Sequence, residues 1–425
     1  MTPLVYVLDE QIREVITRGD NPSVLQGTAF GFDEWTVFHA FTDRPHTTPC
    51  GEKCPCIIMR ANAAGLVDDH RLAEAAREAA GGNTKPVVVL VAGVDADGSP
   101  TCRSLVVTTS GFAPAATRFV PRKSELYSRS AGILETSILA TRNVAIVGLG
   151  SGGSPVAVDL ARAGVGHFTL VDFDRLELGN ISRHVCGISD LGRFKTHAVR
   201  DQILQKNPYA TVKTMEVDVN QALRQVEDAV GKSDLLIVAS DNDQSRFNLN
   251  QMSLNTNRVA LYGRAITRAA GGDVLRVRPW QGPCYNCVFS SGVIDGRQEE
   301  MSQKRQALAV LPAYVEPDKL DTMIQVGLSS DISPIANMLT KIALVELSRG
   351  TESGIDSVAE DLSADFYVWA NRREEAYQGW PRMGFKWNYP SILRWYGARV
   401  ERDPECLVCG GHIGDAPVSS SLNNH

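Results

Sequence analysis

The stretch NVAIVGLGSGGSPVAVDLARAG, residues 143 to 164, constrains what this chain can fold into more than any other. An apolar run that reads as a β-strand enters a glycine-rich turn, and an amphipathic helical pattern leaves it. Gly148, Gly150 and Gly153 fit G-x-G-x-x-G, with a further glycine at Gly152. Strand, glycine turn and helix in this order let a phosphate approach backbone N–H groups at the positive end of a helix. Alone, the pattern does not choose between a dinucleotide such as NAD and ATP.

The surrounding sequence repeats the alternation. After the strand NVAIVGL and its helix come HFTLVDF, a helix over Lys195 to Lys206, TVKTMEV, a helix near Gln221 to Val230, and DLLIVAS; VALYGRA and GGDVLRVRP continue the series. Short apolar strands separated by helical patterns imply βαβ units, hence a Rossmann-like, mostly parallel sheet with helices on both faces and ligands at the carboxyl ends of its strands. The helix SPIANMLTKIALVELSRG is expected to be capped by Ser333, with Pro334 in its first position.

Upstream, Leu4 to Leu8 is an apolar start, EWTVFHAF, PVVVLVAGV and CRSLVVTT read as strands and DDHRLAEAAREAA as a helix, whereas TDRPHTTPCGEKCPC is turn-rich. The chain therefore divides into a smaller N-terminal α+β domain, 1–124, an α/β domain, 125–412, and a frayed tail, 413–425. At 425 residues, two or three domains of roughly 150 residues are expected.

Composition excludes several classes. A net charge of -6 speaks against a nucleic-acid binder, which concentrates Lys and Arg against phosphates. No apolar run approaches the ~18 residues of a membrane span, and the start MTPLVYVLDEQIREV is acidic where a secretory signal is basic. The expected location is cytoplasmic. Nine cysteines, an odd count that includes two C-x-x-C pairs, fit metal binding or free thiols better than a disulfide framework.

Charged residues at the strand ends tip the choice of nucleotide. Asp172 lies 24 residues after Gly148, about the separation of an acid that accepts from a ribose hydroxyl. Asp174, Asn180, Arg183 and Lys195 follow, and VASDNDQSRFNLN presents Asp241, Asn242 and Asp243 after the fourth strand. Arg, Lys and Asp around a glycine turn suit a triphosphate with Mg²⁺; a hydride-transfer site needs a nicotinamide pocket and a proton donor.

GLGSGGSPVAVDLARAGVGHFTLVDFDRLELGNISRH, Lys195 and the SDN of 240–242 together resemble the ThiF/MoeB/HesA family, relatives of ubiquitin-activating enzymes that adenylate the C-terminal carboxylate of a protein or peptide. The resemblance runs from Tyr127 to Cys409. It implies that Gly148, Gly150, Gly152 and Gly153 wrap the phosphates, that Asp172 holds the ribose, that Asn180, Arg183 and Lys195 neutralise the triphosphate, and that Asp241 holds Mg²⁺. It further implies a homodimer in which Arg129, in a Y-S-R entry with Ser130 where the family has Gln, reaches the partner's site. The partner implied is a small protein or peptide with a free C-terminus, a ubiquitin-like modifier or a sulfur carrier, with a conjugating enzyme downstream. A ribosomal peptide modified at its C-terminus would use the same nucleotide residues, and a NAD-dependent oxidoreductase is the reading of another class.

Cys284 and Cys287 in GPCYNCVF and Cys406 and Cys409 in PECLVCGGH offer four soft ligands for a structural zinc, a pairing that the resemblance also implies. Between them, the crossover segment 288–332 contains no cysteine, which leaves open whether a thioester follows the adenylate; Cys186 in SRHVCG is expected to be structural. Cys50, Cys54 and Cys56, beside His46, are irregularly spaced for a second metal. The order of helix and strand in the N-terminal domain faintly resembles JAB/MPN domains without their H-x-H and S-x-x-D ligands, implying a docking or dimerisation module.

Overall fold

The computed structural model describes residues 2–17, 25–40, 51–61, 69–81, 85–120, 126–266, 269–290, 327–372 and 392–412. They fall into two compact units, Met1–Arg129 and Ser130–His425.

The first unit is a closed barrel. Its elements are β1 (Leu4–Leu8), α1 (Asp9–Thr17), β2 (Leu25–Phe32), β3 (Val37–Ala40), β4 (Glu52–Arg60), α2 (Asp69–Ala80), β5 (Val87–Val94), β6 (Pro100–Thr108) and β7 (Gly111–Val120). The strand order is β1-β3-β2-β4-β5-β6-β7, and β7 pairs in parallel with β1 to close it. The apolar run of β5 is buried on both faces. Val88, Leu90 and Ala92 join Val5, Ile12 and Phe38 in the interior, while Val87, Val89 and Val91 pack with Ile57, Met59 and Leu72 beneath α2. A doubly buried strand reads as continuous apolar sequence, the form its sequence takes.

Part of the stretch expected to be turn-rich is strand: Glu52–Arg60 is β4. Pro55 stands opposite Thr28 of β2, one residue before the ladder with β5 begins at Cys56 and Val88. The missing proline donor thus falls outside the β4–β5 pairing.

The second unit is built on an eight-stranded sheet of β8 (Asn143–Val147), β9 (His167–Val171), β10 (Thr211–Met215), β11 (Leu235–Val238), β12 (Val259–Ala265), β13 (Gly271–Val277), β14 (Phe366–Ala370) and β15 (Arg394–Ala398). Their order is β10-β9-β8-β11-β12-β13-β14-β15. Pairings from β10 to β12 are parallel and those from β12 to β15 antiparallel. Two apolar layers sandwich the sheet, as period-two alternation requires. Val144 and Ile146 of β8 face one layer with α3 (Gly153–Arg162), α4 (Lys195–Lys206) and α8 (Ser329–Ser348); Ala145 and Val147 face the other with α5 (Leu223–Gly231), α6 (Asp243–Thr256) and α7 (Tyr285–Phe289).

Helix α8 begins at Ser329, five residues before the expected first position, so Pro334 sits inside it. Its missing N–H leaves the carbonyl of Ser330 without a helical donor, but Ser330 is exposed and water can serve. Burial of Ile332, Ile335 and Leu339 holds the turn in register. Among the described residues no helix is long and apolar enough to cross a membrane.

Candidate nucleotide site and cysteine cluster

Strand order reverses between β8 and β11, and a cavity of about 420 Å³ opens at the carboxyl ends of the strands there. Such a switch point is where open α/β sheets bind ligands. Of the expected site residues, Gly148, Gly150, Gly152, Asp172, Asp174, Asn180, Arg183, Lys195, Asp241 and Asn242 all line this cavity.

The four glycines divide into two pairs. Gly148 has φ +87°, and a Cβ on it would lie 2.6 Å from the carbonyl oxygen of Ala239; one on Gly153 would lie 1.9 Å from that of Gly148. These two let β8, β11 and α3 approach each other, and Gly153 does not line the cavity. Gly150 and Gly152 have nothing within 4 Å of a built Cβ. They form an open cradle under the N-terminus of α3, whose cap residue, Gly152, supplies no side chain. That geometry fits a phosphate chain.

Around the cradle, side chains are held by local bonds. The Asp172 carboxylate accepts from the N–H groups of Leu149 (2.7 Å) and Asp174 (2.9 Å). Burial raises its pKa above the usual carboxylate value, and nearby Lys195 opposes the shift. Lys195, at the first position of α4, donates to Asp174 at 2.7 Å; its side chain is 11% exposed against 49% for the acid. A phosphate would have to share this ammonium with Asp174 or take it over. Asn180 Oδ1 accepts from Glu177 N–H at 3.1 Å, and Arg183 donates to the Gly179 carbonyl at 3.0 Å. Asn242 caps α6 by accepting from Ser245 N–H at 2.8 Å, which sets Asp241 at the mouth of that helix.

Of the lining residues that escape the sequence reading, two hold the turns that carry the predicted ones. Arg246 is buried (4% exposed) and donates to the Ser240 carbonyl through both Nε (3.1 Å) and Nη2 (2.7 Å), and to Asp243 at 3.2 Å. It fixes the turn that carries Asp241, and the available signal was its place one helical turn after Asn242. His184, next to Arg183, lies between the glycine turn and the loop after β9: Nε2 is 2.7 Å from the Leu149 carbonyl, and Nδ1 accepts from Cys186 N–H at 3.1 Å. Arg129 is exposed in the short 3-10 turn Ser128–Ser130 and belongs to the first unit, whereas the cavity is lined from the second.

The two C-x-x-C pairs meet. Sγ separations are 3.7 Å for Cys284–Cys287, 3.7 Å for Cys284–Cys406 and 3.4 Å for Cys287–Cys409, with all four within 4.8 Å. Tetrahedral zinc with bonds of about 2.3 Å places its sulfurs about 3.8 Å apart, so the quartet fits that ion. Contact with Cys284 holds the Cys287 thiol low, making it the first of the pair to ionise. The cluster is tied to α6, which supplies Ser245 and Arg246 to the cavity: Tyr285 N–H donates to Asn250, and its hydroxyl donates to Asp243 at 3.2 Å.

The remaining thiols differ. Cys186 is buried, with its pKa pushed up to about 12. Cys54 is likewise raised to about 12 inside the barrel, and burial raises Cys56 further. His46, Cys50 and the crossover residues 291–326 lie outside the described residues. Among the described residues, the quartet is the one group of three or more His, Cys, Asp or Glu side chains placed to hold a metal.

The parallel half of the sheet, with a glycine cradle at its switch point ringed by Lys, Arg and Asp, has the architecture of a nucleotide-binding α/β protein. The ThiF family profile matches residues 126–349, more than half of the sequence, and the chain belongs to that family. Over 207 residues it is 30% identical to the sulfur carrier protein ThiS adenylyltransferase of Escherichia coli, an alignment covering 47% of this chain and 77% of that protein. Over 168 residues it is 29% identical to ubiquitin-like modifier-activating enzyme 5 of Caenorhabditis elegans, covering 37% and 40%. Several curated relatives are longer, and the chain spans 28–40% of their length. A crystal structure of E. coli MccB aligns with 71% of this chain and 75% of its own at TM-score 0.49 and 19% identity.

Proposed function

We propose that this chain is an ATP- and Mg²⁺-dependent adenylyltransferase that activates the C-terminal carboxylate of a ubiquitin-like protein. The observation that carries the reading is the convergence of the Gly150–Gly152 cradle with Asn180, Arg183, Lys195 and Asp241 around one cavity. The reaction is attack of a carboxylate oxygen on the α-phosphorus, with the bond to the β-phosphate breaking and pyrophosphate leaving. Two anions must be brought together, so charge neutralisation and positioning dominate. A C-terminal carboxylate is ionised at neutral pH and needs no general base.

The residues divide this work. The cradle and the α3 N-terminus hold the phosphates, and Asp172 accepts from the ribose. Asn180, Arg183 and Lys195 offset the triphosphate charge. Asp241 would hold Mg²⁺, which supplies positive charge between the phosphates. The cysteine quartet would hold a structural zinc, bracing α7 against α6. Arg129 would serve the partner's site in a homodimer, and the barrel would dock a partner or help dimerisation. Sulfur-carrier activation shares all of this, and the length matched in the ThiS adenylyltransferase favours it as the second reading.

Peptide-dependent ATP–pyrophosphate exchange tests the proposal. Peptides ending in Gly-Gly should support exchange, and the same peptides amidated at the C-terminus should not. Exchange independent of the free carboxylate would refute carboxylate activation.

A further inference from the structure

His184 sits where the glycine turn meets the loop after β9, and both of its ring nitrogens are committed. Nδ1 faces the Cys186 N–H at 3.1 Å, which can only donate, and Nε2 faces the Leu149 carbonyl at 2.7 Å, which can only accept. The ring must therefore lack a proton at Nδ1 and carry one at Nε2, the neutral form. Leu149 is the middle residue of Gly148–Leu149–Gly150. Its side chain is fully buried and its N–H donates to Asp172 at 2.7 Å. With the carbonyl held by His184, the residue is fixed on three sides, directly before the cradle.

Building on the nucleotide reading above, we propose that His184 is a positioning residue. It holds the glycine turn in its phosphate-binding form only while the imidazole is neutral, so nucleotide binding is lost as pH falls. A proton on Nδ1 would set two donors against each other at Cys186; the Leu149 carbonyl itself favours the charged ring, so the turn is disturbed only because swinging Nδ1 away from the Cys186 N–H drags Nε2 off that carbonyl. Charged groups acting on the ring come from several elements: Arg183 and Asp190 from its own loop, Lys195 from the start of α4, and Asp172 across the Leu149 peptide. Burial is the largest influence and pushes His184 below its ordinary value of 6.5. A depressed pKa means that the clamp is complete above that ordinary value and is lost as pH falls through the folded one.

Calorimetric titration of Mg-ATP into the full-length protein, from about pH 8 down to about pH 5.5, tests this. Wild type should lose about tenfold in affinity on the acid side beyond any loss in His184→Gln, the size of one buried hydrogen bond. A glutamine amide can donate to Leu149 but takes up no proton, so whatever its affinity at the alkaline end, His184→Gln should lose less than about threefold from there to the acid end once the titration of ATP is allowed for. Since the titration of ATP itself is common to both proteins, an identical acid loss in His184→Gln would overturn the proposal. Nitrogen-15 NMR of wild type gives a reading without a variant: a His184 proton on Nδ1 at neutral pH would overturn it equally. Absence of ATP binding at any pH would instead remove the nucleotide reading beneath it.

Discussion

The barrel of the first unit closes because β7 pairs with β1, whereas the sheet of the second stays open and reverses its order between β8 and β11. The barrel's interior is filled by Val, Leu, Ile and Phe side chains. The open sheet leaves loops splayed apart at its switch point, and there every polar group of the candidate site except Arg129 gathers. Cysteines divide along the same line. Cys54 and Cys56 stand alternately along β4 inside the barrel with raised pKa values, while four cysteines of the second unit meet at one point. The candidate site forms where the sheet's connectivity leaves a crevice, and buried thiols elsewhere act as small apolar side chains.

This contrast can be broken most severely at the cysteine quartet. Cys406→Ser should abolish stoichiometric metal binding and destabilise the second unit by more than about 4 kcal/mol. The barrel should unfold unchanged, so calorimetry should show one transition move and the other stay. Next in size is Asp241→Ala, which should lower peptide-dependent pyrophosphate exchange by about 10²–10³ with little change in melting temperature.

The glycines give a finer test. Gly153→Ala would place a methyl against the Gly148 carbonyl and should cost about 1–3 kcal/mol of stability. Gly152→Ala meets nothing within 4 Å and should leave stability within about 0.5 kcal/mol. Its methyl would stand in the cradle, weakening ATP by about tenfold. Smallest is the labelling contrast. Peptide mapping after alkylation of native protein near neutral pH should find Cys54, Cys56 and Cys186 unmodified, and chelation of the metal should expose the quartet while leaving those three protected.

The second unit was largely legible because its signals are strong and local: apolar strands, amphipathic helices, and charged residues just past strand ends. The barrel was harder. β2 (LQGTAFGF) and β7 (GFAPAATRFV) carry Gly, Ala and Pro in place of β-branched residues, and β7 has no fully buried position. Their strand state comes from pairing with neighbours, which sequence does not display. In the site, residue types at fixed spacing pointed to ten of the cavity's lining positions. Arg246 and His184 were missed because their importance lies in which backbone carbonyls they reach, Ser240 and Leu149, a property of the folded turn. Gly153 belongs to the fingerprint for the opposite reason: it permits packing and lies off the cavity.

The central claim is that the crevice of the open sheet selects a triphosphate over a dinucleotide, and paired calorimetric titrations of the full chain with Mg-ATP and NAD test it most directly. The charged ring around the Gly150–Gly152 cradle predicts Mg-ATP binding at least about tenfold tighter than NAD, with the difference abolished in Lys195→Ala. Tighter binding of NAD, or an ATP affinity indifferent to Lys195, would contradict the account.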